Sequence, residues 1–272
     1  MEAINKTIEQ IVSQNEVVLE ASPYKCPYCG RVVEPIEVNV FGRKRTVQPK
    51  CGCEWREEKK KIDAAADLRQ KHETERLFGI SNLGKRFEEA TLENILPRPG
   101  TEKVIKLAHR YVREFKKWGQ QSLLVWGSPG NGKTHIASAI ANKLHRQGYT
   151  VVFQSVPELL GRIKSTFNKS SRDTEAQIMK ALLTCDLLIL DDIGAEKLSE
   201  WVEDVMFRVI DGRYRKELPI MYTSNLEIDQ IADRVSDRTF DRIMETSVIV
   251  ENKATSYRFE QAQKRARMFS GE

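Results

Sequence analysis

Short apolar runs alternate with longer segments of helical periodicity over the C-terminal part of the chain. The runs SLLVW, TVVFQ, DLLILD, PIMYTS and TSVIVE are rich in β-branched residues, which favours buried strands. Other segments, such as EKVIKLAHRYVREFKKW, repeat apolar residues at the spacing of one helix face. Because strands that alternate with helices are typical of a parallel sheet covered on both faces, the pattern predicts an α/β fold.

The N-terminal part has a different pattern. Residues 1–20 have apolar side chains at roughly helical spacing and predict a short amphipathic helix. Residues 22–55 combine Cys, Pro and Gly with strand-like runs such as VEPIEVNVF, and REEKKKIDAAADLRQKHETERLFG then predicts a charged helix. The turn-rich SNLGKRFEEATLENILPRPG follows. We therefore expect an N-terminal domain over residues 1–72, a linker over 73–100 and an α/β domain over 101–272.

The composition narrows the class of protein. Of 272 residues, 31% are charged and 40% are hydrophobic, which is typical of a soluble globular chain. No apolar run is long enough to span a membrane, and the N-terminus lacks the apolar core of a secretory signal, so we expect a cytoplasmic protein. The net charge of +5 is compatible with nucleic-acid binding but does not require it.

The segment GSPGNGKT, from Gly127 to Thr134, matches the phosphate-binding pattern G-x-x-x-x-G-K-[ST] between a predicted strand and a predicted helix. Glycines let backbone amides curl around phosphates at the N-terminus of that helix. Lys133 would reach the β- and γ-phosphates of ATP, and the Thr134 hydroxyl would bind Mg²⁺. The predicted nucleotide contacts are Gly127, Ser128, Pro129, Gly130, Asn131, Gly132, Lys133, Thr134 and His135.

Two acids and an amide follow later strands. The run LLIL ends in Asp191 and Asp192, at the sheet edge where α/β proteins bind ligands. We assign Asp191 to Mg²⁺, directly or through water, and Asp192 to the general base that polarises the attacking water. The run PIMYTSN ends in Thr223, Ser224 and Asn225. Of these three, Asn225 is our candidate for a hydrogen bond to the γ-phosphate or the water.

Four of the five cysteines form two close pairs, Cys26 with Cys29 and Cys51 with Cys53. In a chain without an export signal, cysteines indicate metal binding or free thiols rather than disulfides. Thiolates at this spacing can wrap one tetrahedral Zn²⁺, and four of them leave no open position, so the zinc would be structural. An alternative is that His72 replaces one cysteine as a ligand.

The motifs GSPGNGKTHIA, LLILDDIGAE, TSN and DRTFDRI…SYR together resemble those of the AAA+ ATPases of the DnaC/DnaI helicase-loader family, over roughly residues 80–272. The strand TVVFQ between the P-loop and LLILDD is typical of the additional-strand P-loop ATPases. The resemblance implies a three-layer αβα core with a parallel five-stranded sheet, preceded here by a small zinc-binding domain. Only residues 259–272 follow Arg258, so we expect no C-terminal helical lid and a weak, partner-stimulated ATPase.

Three arginines, Arg234, Arg238 and Arg242, are four residues apart and would share one face of a helix. The resemblance implies that Arg242 is an arginine finger, which contacts the γ-phosphate bound by a neighbouring subunit and so couples nucleotide to self-association. Arg238 is the alternative finger, and a solvated basic face is the structural alternative. The resemblance also implies that Asn225 is the sensor-1 residue and Arg258 the sensor-2 residue.

Binding of single-stranded DNA requires basic residues beside aromatic platforms. The segments LLGRIKSTFNKSSRD and DGRYRKELP have this composition, and the resemblance nominates the first as a helix that lines a DNA channel. The candidate contacts are Arg162, Lys164, Phe167, Arg213 and Tyr214. The basic FGRKRT, between the two cysteine pairs, is either a further DNA contact or a solvated hairpin tip.

The resemblance implies an ATP-dependent helicase loader in DNA replication, which binds the replicative DNA helicase and delivers it onto single-stranded DNA. Its cofactors would be ATP, Mg²⁺ and structural Zn²⁺, and residues 1–72 would engage the helicase. One alternative is a transposase-assisting AAA+ ATPase that acts on duplex DNA, although those proteins usually lack a zinc module. Another is a nucleotide-gated adaptor that hydrolyses little ATP.

Overall fold

A computed structural model describes residues 21–79, 85–168, 170–197 and 199–270. The chain divides into two compact units, Met1–Asp67 and Leu68–Glu272. The amphipathic helix predicted for residues 1–20 lies outside the described residues. None of the helices within the described ranges is long and apolar enough to cross a membrane.

Two antiparallel hairpins and the first part of a long helix make up the described part of the first unit. The elements are β1 (Tyr24–Lys25), β2 (Val32–Val33), β3 (Ile36–Val40), β4 (Arg43–Val47) and α1 (Gly52–Phe78). Strand β1 pairs with β2 and β3 pairs with β4, and α1 continues into the second unit. The predicted strand in VEPIEVNVF and the predicted charged helix are both confirmed.

The hairpin β3–β4 is largely exposed to solvent. Phe41 and Gly42 form its two-residue turn, and both have positive φ, the conformation that matches the twist of the paired strands. The Phe41 side chain is fully exposed. The basic residues 43–45 follow in strand β4, so the tip itself consists of Phe41 and Gly42.

The second unit contains a parallel sheet and its helices. The strands are β5 (Ser122–Trp126), β6 (Val151–Ser155), β7 (Leu187–Asp191), β8 (Ile220–Ser224) and β9 (Ser247–Glu251). The helices are α2 (Lys85–Glu88), α3 (Glu102–Arg113), α4 (Phe115–Trp118), α5 (Lys133–Arg146), α6 (Val156–Ser165), α7 (Glu175–Leu182), α8 (Glu200–Tyr214), α9 (Ile228–Ala232), α10 (Asp237–Thr246) and α11 (Tyr257–Ser270). Each strand coincides with one apolar run of the sequence, so the predicted α/β fold with a five-stranded sheet is confirmed.

The strand order is β6-β7-β8-β5-β9, and all neighbouring strands are parallel. Strand β8 therefore lies between β5, which leads into the P-loop, and β7, which ends in Asp191. Because parallel strands have their carboxyl ends at one edge of the sheet, this order brings the polar ends of β7 and β8 beside the P-loop.

Two apolar clusters cover opposite faces of the sheet, because successive side chains of a strand point in opposite directions. Leu124 and Leu188 pack in one cluster with residues of α6, α7 and α8. Leu123 and Ile189 pack in the other with residues of α3 and α5. The second unit is therefore the expected three-layer αβα core.

The described residues of the predicted linker, 73–79 and 85–100, contribute side chains to the apolar clusters of the second unit. Leu77 and Phe78 are buried in the first cluster, and Leu92 and Ile95 are buried in the second. The turn-forming composition of the segment suggested a boundary, but its few apolar side chains complete the helical layers of the second unit.

Arg213 lies at the end of α8 and is fully buried. Its guanidinium donates to the backbone carbonyls of Leu182 at 2.6 Å, Cys185 at 3.0 Å and Pro219 at 2.8 Å. The prediction that Arg213 contacts DNA is therefore wrong. Its basic neighbours suggested a solvated cluster, whereas the helix turns this one side chain inward to satisfy loop carbonyls.

We expect Arg213→Met to destabilise the protein by about 3 kcal/mol, since a buried polar group that loses its partner costs roughly 1–3 kcal/mol. Arg215→Met is the matched control, because Arg215 is mostly exposed and forms an i,i+4 pair with Asp211. Urea unfolding would measure both variants. Equal midpoints for the two variants would contradict a structural role for the buried guanidinium.

Candidate functional site

The P-loop joins β5 to α5 and has glycines at two close contacts. A Cβ at Gly127 would lie 2.4 Å from the Asn252 carbonyl oxygen, and one at Gly130 would lie 2.4 Å from the Ser256 hydroxyl. Both glycines also have positive φ, at 140° and 79°. Glycine is therefore required at both positions for the loop to curl as a phosphate-binding loop does.

Lys133 points back into the P-loop. Its Nζ donates to the carbonyls of Gly127 at 2.7 Å and Ser128 at 3.0 Å and to Asn131 Oδ1 at 3.1 Å. Burial lowers the pKa of Lys133 to about 8, and the two neighbouring aspartates oppose this shift. An anion in the loop would favour the charged ammonium, so binding of a phosphate and protonation of Lys133 are coupled.

Asp191 is buried at the end of β7 and connects three elements. Its carboxylate accepts a hydrogen bond from the Thr134 hydroxyl of α5 at 3.0 Å and another from the Thr223 hydroxyl of β8. Burial raises the pKa of Asp191, and the hydrogen bond from Thr223 opposes the rise. Thr134 and Asp191 are thus in direct contact, at a position where both could hold one Mg²⁺ ion.

Asp192 has a positive φ of 59°, which marks a sharp turn directly after the strand. Its backbone N–H donates to the Thr223 hydroxyl at 3.0 Å. Its carboxylate accepts from Asn225 Nδ2 at 2.6 Å. The predicted general base and the predicted sensor amide are therefore neighbours, and Thr223 bridges the two acids.

A cavity of about 270 Å³ opens beside the P-loop. The predicted residues that line it are Pro129, Gly130, Asn131, Gly132, Lys133, Thr134, His135, Asp192, Asn225 and Arg258. The rest of its wall comes from residues that the motifs did not identify, which are Phe87, Asn94, Ile95, Leu96, Arg98, Thr101, Ile136 and Tyr257. A lining with both charged and apolar parts suits a nucleotide, which combines phosphates with a planar base.

An asparagine pair fastens the P-loop to the end of β9. Asn131 Nδ2 donates to the Asn252 carbonyl at 2.7 Å, and Asn252 Nδ2 donates to the Asn131 carbonyl at 3.2 Å. Both side chains are buried. Sequence reasoning missed Asn252, because a single asparagine after a strand has no motif that distinguishes it.

The three arginines of the DRVSDRTFDRI segment do not share one helix. Arg234 lies in the turn before α10, and only Arg238 and Arg242 lie on that helix. The predicted common face is therefore wrong for Arg234, because the chain turns between α9 and α10. Arg238 is mostly exposed, 3.8 Å from the Glu203 carboxylate and over the Phe207 ring.

Arg242 makes several contacts within its own chain. Its guanidinium lies 4.2 Å from the centroid of the Tyr214 ring, 3.5 Å from the Asp211 carboxylate and 3.2 Å from the Glu245 carboxylate. Tyr214 also donates to Glu245 at 2.9 Å. Of the residues that the structure describes, those that line the cavity include neither Arg242 nor Arg238.

The remaining predicted DNA contacts differ in accessibility. Lys164 and Phe167 are exposed, and the Phe167 ring meets the Trp201 ring edge-on with centroids 6.2 Å apart. Arg162 instead pairs with Asp173 at 3.0 Å. Lys164 and Phe167 therefore form an accessible basic and aromatic pair, whereas Arg162 and Tyr214 are engaged within the chain.

The four cysteines of the first unit come together in space. The Sγ atoms of Cys26, Cys29, Cys51 and Cys53 all lie within 4.8 Å of one another, and those of Cys29 and Cys51 are 3.7 Å apart. Four Zn–S bonds of about 2.3 Å in a tetrahedron place the sulfurs about 3.8 Å apart. In the described part of the chain, the cluster consists of these four thiols without His72.

A hydrogen-bond network supports the cysteine cluster. The Cys51 N–H donates to the Tyr24 hydroxyl at 2.9 Å, and that hydroxyl donates to Glu54. Arg56 lies 3.4 Å from the Cys53 sulfur and would offset part of the negative charge of four thiolates. Such outer contacts orient the ligands of a metal site.

Comparison with known proteins gives matches over most of the second unit. Residues 100–265 match the family of IstB-like ATP-binding proteins. The replicative helicase loader DnaC of Buchnera aphidicola subsp. Baizongia pistaciae is 30% identical over 192 residues, which cover 70% of this chain and 78% of that protein. DnaC of Escherichia coli strain K12 is 28% identical over the same shares.

Solved structures share the fold of the second unit. The crystal structure of a DnaC helicase loader has a TM-score of 0.57 at 24% identity, covering 62% of this chain and all of that one. That of DnaI has a TM-score of 0.55 at 27% identity, covering 64% and 93% of the two chains. A DnaA structure with AMPPCP and single-stranded DNA bound has a TM-score of 0.54 at 24% identity, covering 67% and 56%.

We expect the affinity for ATP to fall about tenfold between pH 7 and pH 9, because Lys133 has a pKa of about 8 in the nucleotide-free protein. The sign follows from the charge, since the ammonium present below this pKa attracts phosphate and the neutral amine above it does not. Titration calorimetry would measure the dependence. Lys133→Met is the control and should bind weakly with a flat profile, whereas a flat profile for the unmodified protein would contradict the assignment.

We expect the protein to contain one zinc ion per chain and to lose it in Cys29→Ser. Chelation of the zinc should unfold the first unit, Met1–Asp67, which we call the cysteine unit. A unit of this size has little apolar core of its own, and zinc contributes ~10–16 kcal/mol in zinc-finger peptides. Elemental analysis and near-ultraviolet circular dichroism would measure both effects. Cys185→Ser is the control, since Cys185 is buried in the other unit, and loss of zinc there would contradict the assignment.

Proposed function

The chain belongs to the family of IstB-like ATP-binding proteins, and we propose that it is an ATP-dependent loader that binds a replicative DNA helicase and delivers it onto single-stranded DNA. Its AAA+ fold and family make the second unit an ATP-binding ATPase domain. The observation that supports the loader role is the similarity to replicative helicase loaders, which extends over 70% of the chain.

In this proposal, the site residues orient the phosphates of ATP. Mg²⁺ would neutralise part of the negative charge of those phosphates. Lys133 exchanges its contacts with P-loop carbonyls for the β- and γ-phosphates. Thr134 and Asp191 would hold Mg²⁺, with Asp191 binding it directly or through water. Asp192 accepts the proton of the attacking water, and Asn225 keeps that carboxylate in place through their hydrogen bond.

The proposal gives the arginines different partners. Arg258 contacts the phosphates of the nucleotide bound to its own chain, because it lines the same cavity as Lys133. Arg242 acts on the nucleotide of a neighbouring subunit and must leave its contacts with Asp211 and Glu245 to do so. Hydrolysis would then be slow in the isolated chain and faster after self-association, since an arginine supplied in trans accelerates other nucleotidases by ~10³–10⁵.

Lys164 and Phe167 are the proposed contacts to single-stranded DNA. The lysine would neutralise a phosphate, and the phenylalanine would offer a ring on which a base can stack. Both are exposed on the same segment.

The cysteine unit is the proposed helicase-binding module, with structural zinc at its four thiolates. Its hairpin supports this role, because Ile36, Val40, Phe41 and Val47 are large apolar residues exposed on one small element. Exposed apolar patches of this kind mark protein interaction sites.

A transposase-assisting ATPase that acts on duplex DNA is the second candidate, because the family match is to IstB-like proteins. The nucleotide site would serve either function. The helicase-loader relatives and the cysteine unit favour the loader. The preferred partner, a replicative helicase or duplex DNA, would distinguish the two functions.

We expect the protein to form a stable complex with the replicative helicase of its own cell, and Lys133→Ala to abolish loading onto single-stranded DNA through loss of ATP binding. Asp192→Asn should still bind ATP and the helicase but should not release the assembly, because it lacks the general base. Size-exclusion chromatography with light scattering, with and without ATP, would measure the complexes. Full loading by Asp192→Asn would instead indicate a nucleotide-gated adaptor.

The role of the cysteine unit is tested in the same experiment with Phe41→Asn. Asparagine accepts the positive φ of this turn, so the hairpin should remain folded while its apolar tip is lost. Phe269→Asn is the matched control, since Phe269 is an equally exposed phenylalanine of the second unit. Absence of any helicase complex, together with ATP-dependent assembly on duplex DNA, would favour the transposition function.

A further inference from the structure

The C-terminal helix α11 lies at the surface of the second unit. None of its described side chains is buried. Its first turn nevertheless contains Arg258, which lines the nucleotide cavity. Polar contacts near that turn connect Arg258 to the rest of the second unit.

One of these contacts comes from the backbone of the P-loop. The Tyr257 N–H donates to the Gly130 carbonyl at 2.9 Å. The Ser256 side chain fills the space in which a side chain at Gly130 would lie. The helix therefore begins directly against the loop that would bind phosphates.

Several further contacts converge on Arg98, which lies outside every sequence motif. Its Nη1 donates to the Thr255 carbonyl and to Glu260 Oε1, both at 3.0 Å, and its guanidinium lies 5.2 Å from the centroid of the Tyr257 ring. Its Nη2 donates to the Asn131 carbonyl at 2.9 Å. One side chain thus links the P-loop, the turn before α11 and the first turn of the helix.

The ion pair between Arg98 and Glu260 is partly shielded from solvent, with the Glu260 side chain 37% exposed. The Arg98 side chain is only 15% exposed, and the Thr255 hydroxyl donates to the same carboxylate oxygen at 2.6 Å. The hydrogen bond from Thr255 and the charge of Arg98 lower the pKa of Glu260. The carboxylate is therefore ionised at neutral pH, and charge-assisted hydrogen bonds of this type are stronger than neutral ones.

The backbone of Arg98 is itself fixed. Its N–H donates to the Thr101 hydroxyl at 2.9 Å, and that hydroxyl donates back to the Arg98 carbonyl at 2.7 Å. Two residues later, the Gly100 carbonyl accepts from the Lys253 N–H at 3.2 Å. Arg98 is therefore a rigid anchor on the unit, and α11 is the element that it restrains.

We propose that Arg98 is a positioning residue that orients Arg258 toward the γ-phosphate and couples the nucleotide state of the P-loop to the C-terminal helix. The route runs from Lys133 through Asn131, since Lys133 contacts the Asn131 side chain while Arg98 contacts the Asn131 carbonyl. A bound phosphate that draws the Lys133 ammonium away from the Asn131 side chain would shift Asn131. Asn131 is connected to α11 through Arg98. The inference rests on the proposed nucleotide site and is independent of helicase loading.

The test measures the affinities for ATPγS and ADP in the full-length protein, because only the first carries the γ-phosphate. We expect Arg98→Met to weaken ATPγS binding about tenfold, the loss that one charge-assisted hydrogen bond contributes, and to change ADP binding much less. Glu260→Gln should reproduce this selective loss from the other side of the ion pair. Arg98→Lys should restore part of it, because lysine retains the charge for Glu260 but not the forked geometry.

Two further readouts separate positioning from general stability. In Arg98→Met, amide hydrogen exchange should accelerate in residues 257–270 and remain unchanged in the β5–β8 core. The double variant Arg98→Met/Arg258→Met should bind ATPγS no more weakly than Arg258→Met alone, since Arg98 is expected to act through Arg258. Arg110→Met is the matched control, because Arg110 pairs with Glu114 on the exposed side of α3.

Equal losses for ATPγS and ADP would overturn the proposal, as would additive effects in the double variant or unchanged exchange in α11. A failure of the loader function would have a different signature. The chain would then show the expected nucleotide selectivity and exchange pattern but form no complex with the helicase.

Discussion

The buried carboxylate of Asp191 is the interaction on which the nucleotide site depends. Burying a carboxylate away from water costs free energy unless hydrogen-bond donors replace the lost solvent. Those donors are the hydroxyls of Thr134 on α5 and Thr223 on β8. Because β8 lies between β5 and β7, this one group fixes the register between the P-loop helix and the two central strands. The same hydroxyl of Thr223 accepts from the Asp192 backbone and so sets the turn that presents the second acid.

The P-loop is held from both ends of the second unit. Arg98 reaches its Asn131 carbonyl from the segment before α3, and Asn252 reaches the same carbonyl from the end of β9. These residues lie far apart in the sequence, and the parallel sheet brings them to one edge. The loop that would bind phosphates is therefore hydrogen-bonded both to the end of β9 and to residues at the start of the C-terminal helix.

The two units are stabilised by different means. The second unit has apolar clusters on both faces of its sheet. In the described part of the first unit, the buried apolar residues are Cys26 and Cys51, and the hairpin side chains are mostly exposed. A cluster of four thiols within 4.8 Å provides a site at which a metal can replace the missing core. Such a unit can expose apolar side chains, including Phe41, because its fold does not depend on burying them.

Residue types and motif spacing alone predict the strands, the P-loop, the acid pair and the cysteine pairs. Apolar runs and motif spacing are local properties, and each of the five runs forms a strand. Features that depend on distant residues emerge only from the folded packing. It placed Arg98 and Asn252 at the P-loop, buried Arg213 and drew Leu92 and Ile95 of the expected linker into the core. It also removed Arg234 from the predicted helix face. The physical reason is that burial and hydrogen-bond partners are properties of the folded packing, and neither residue type nor spacing along the chain specifies them.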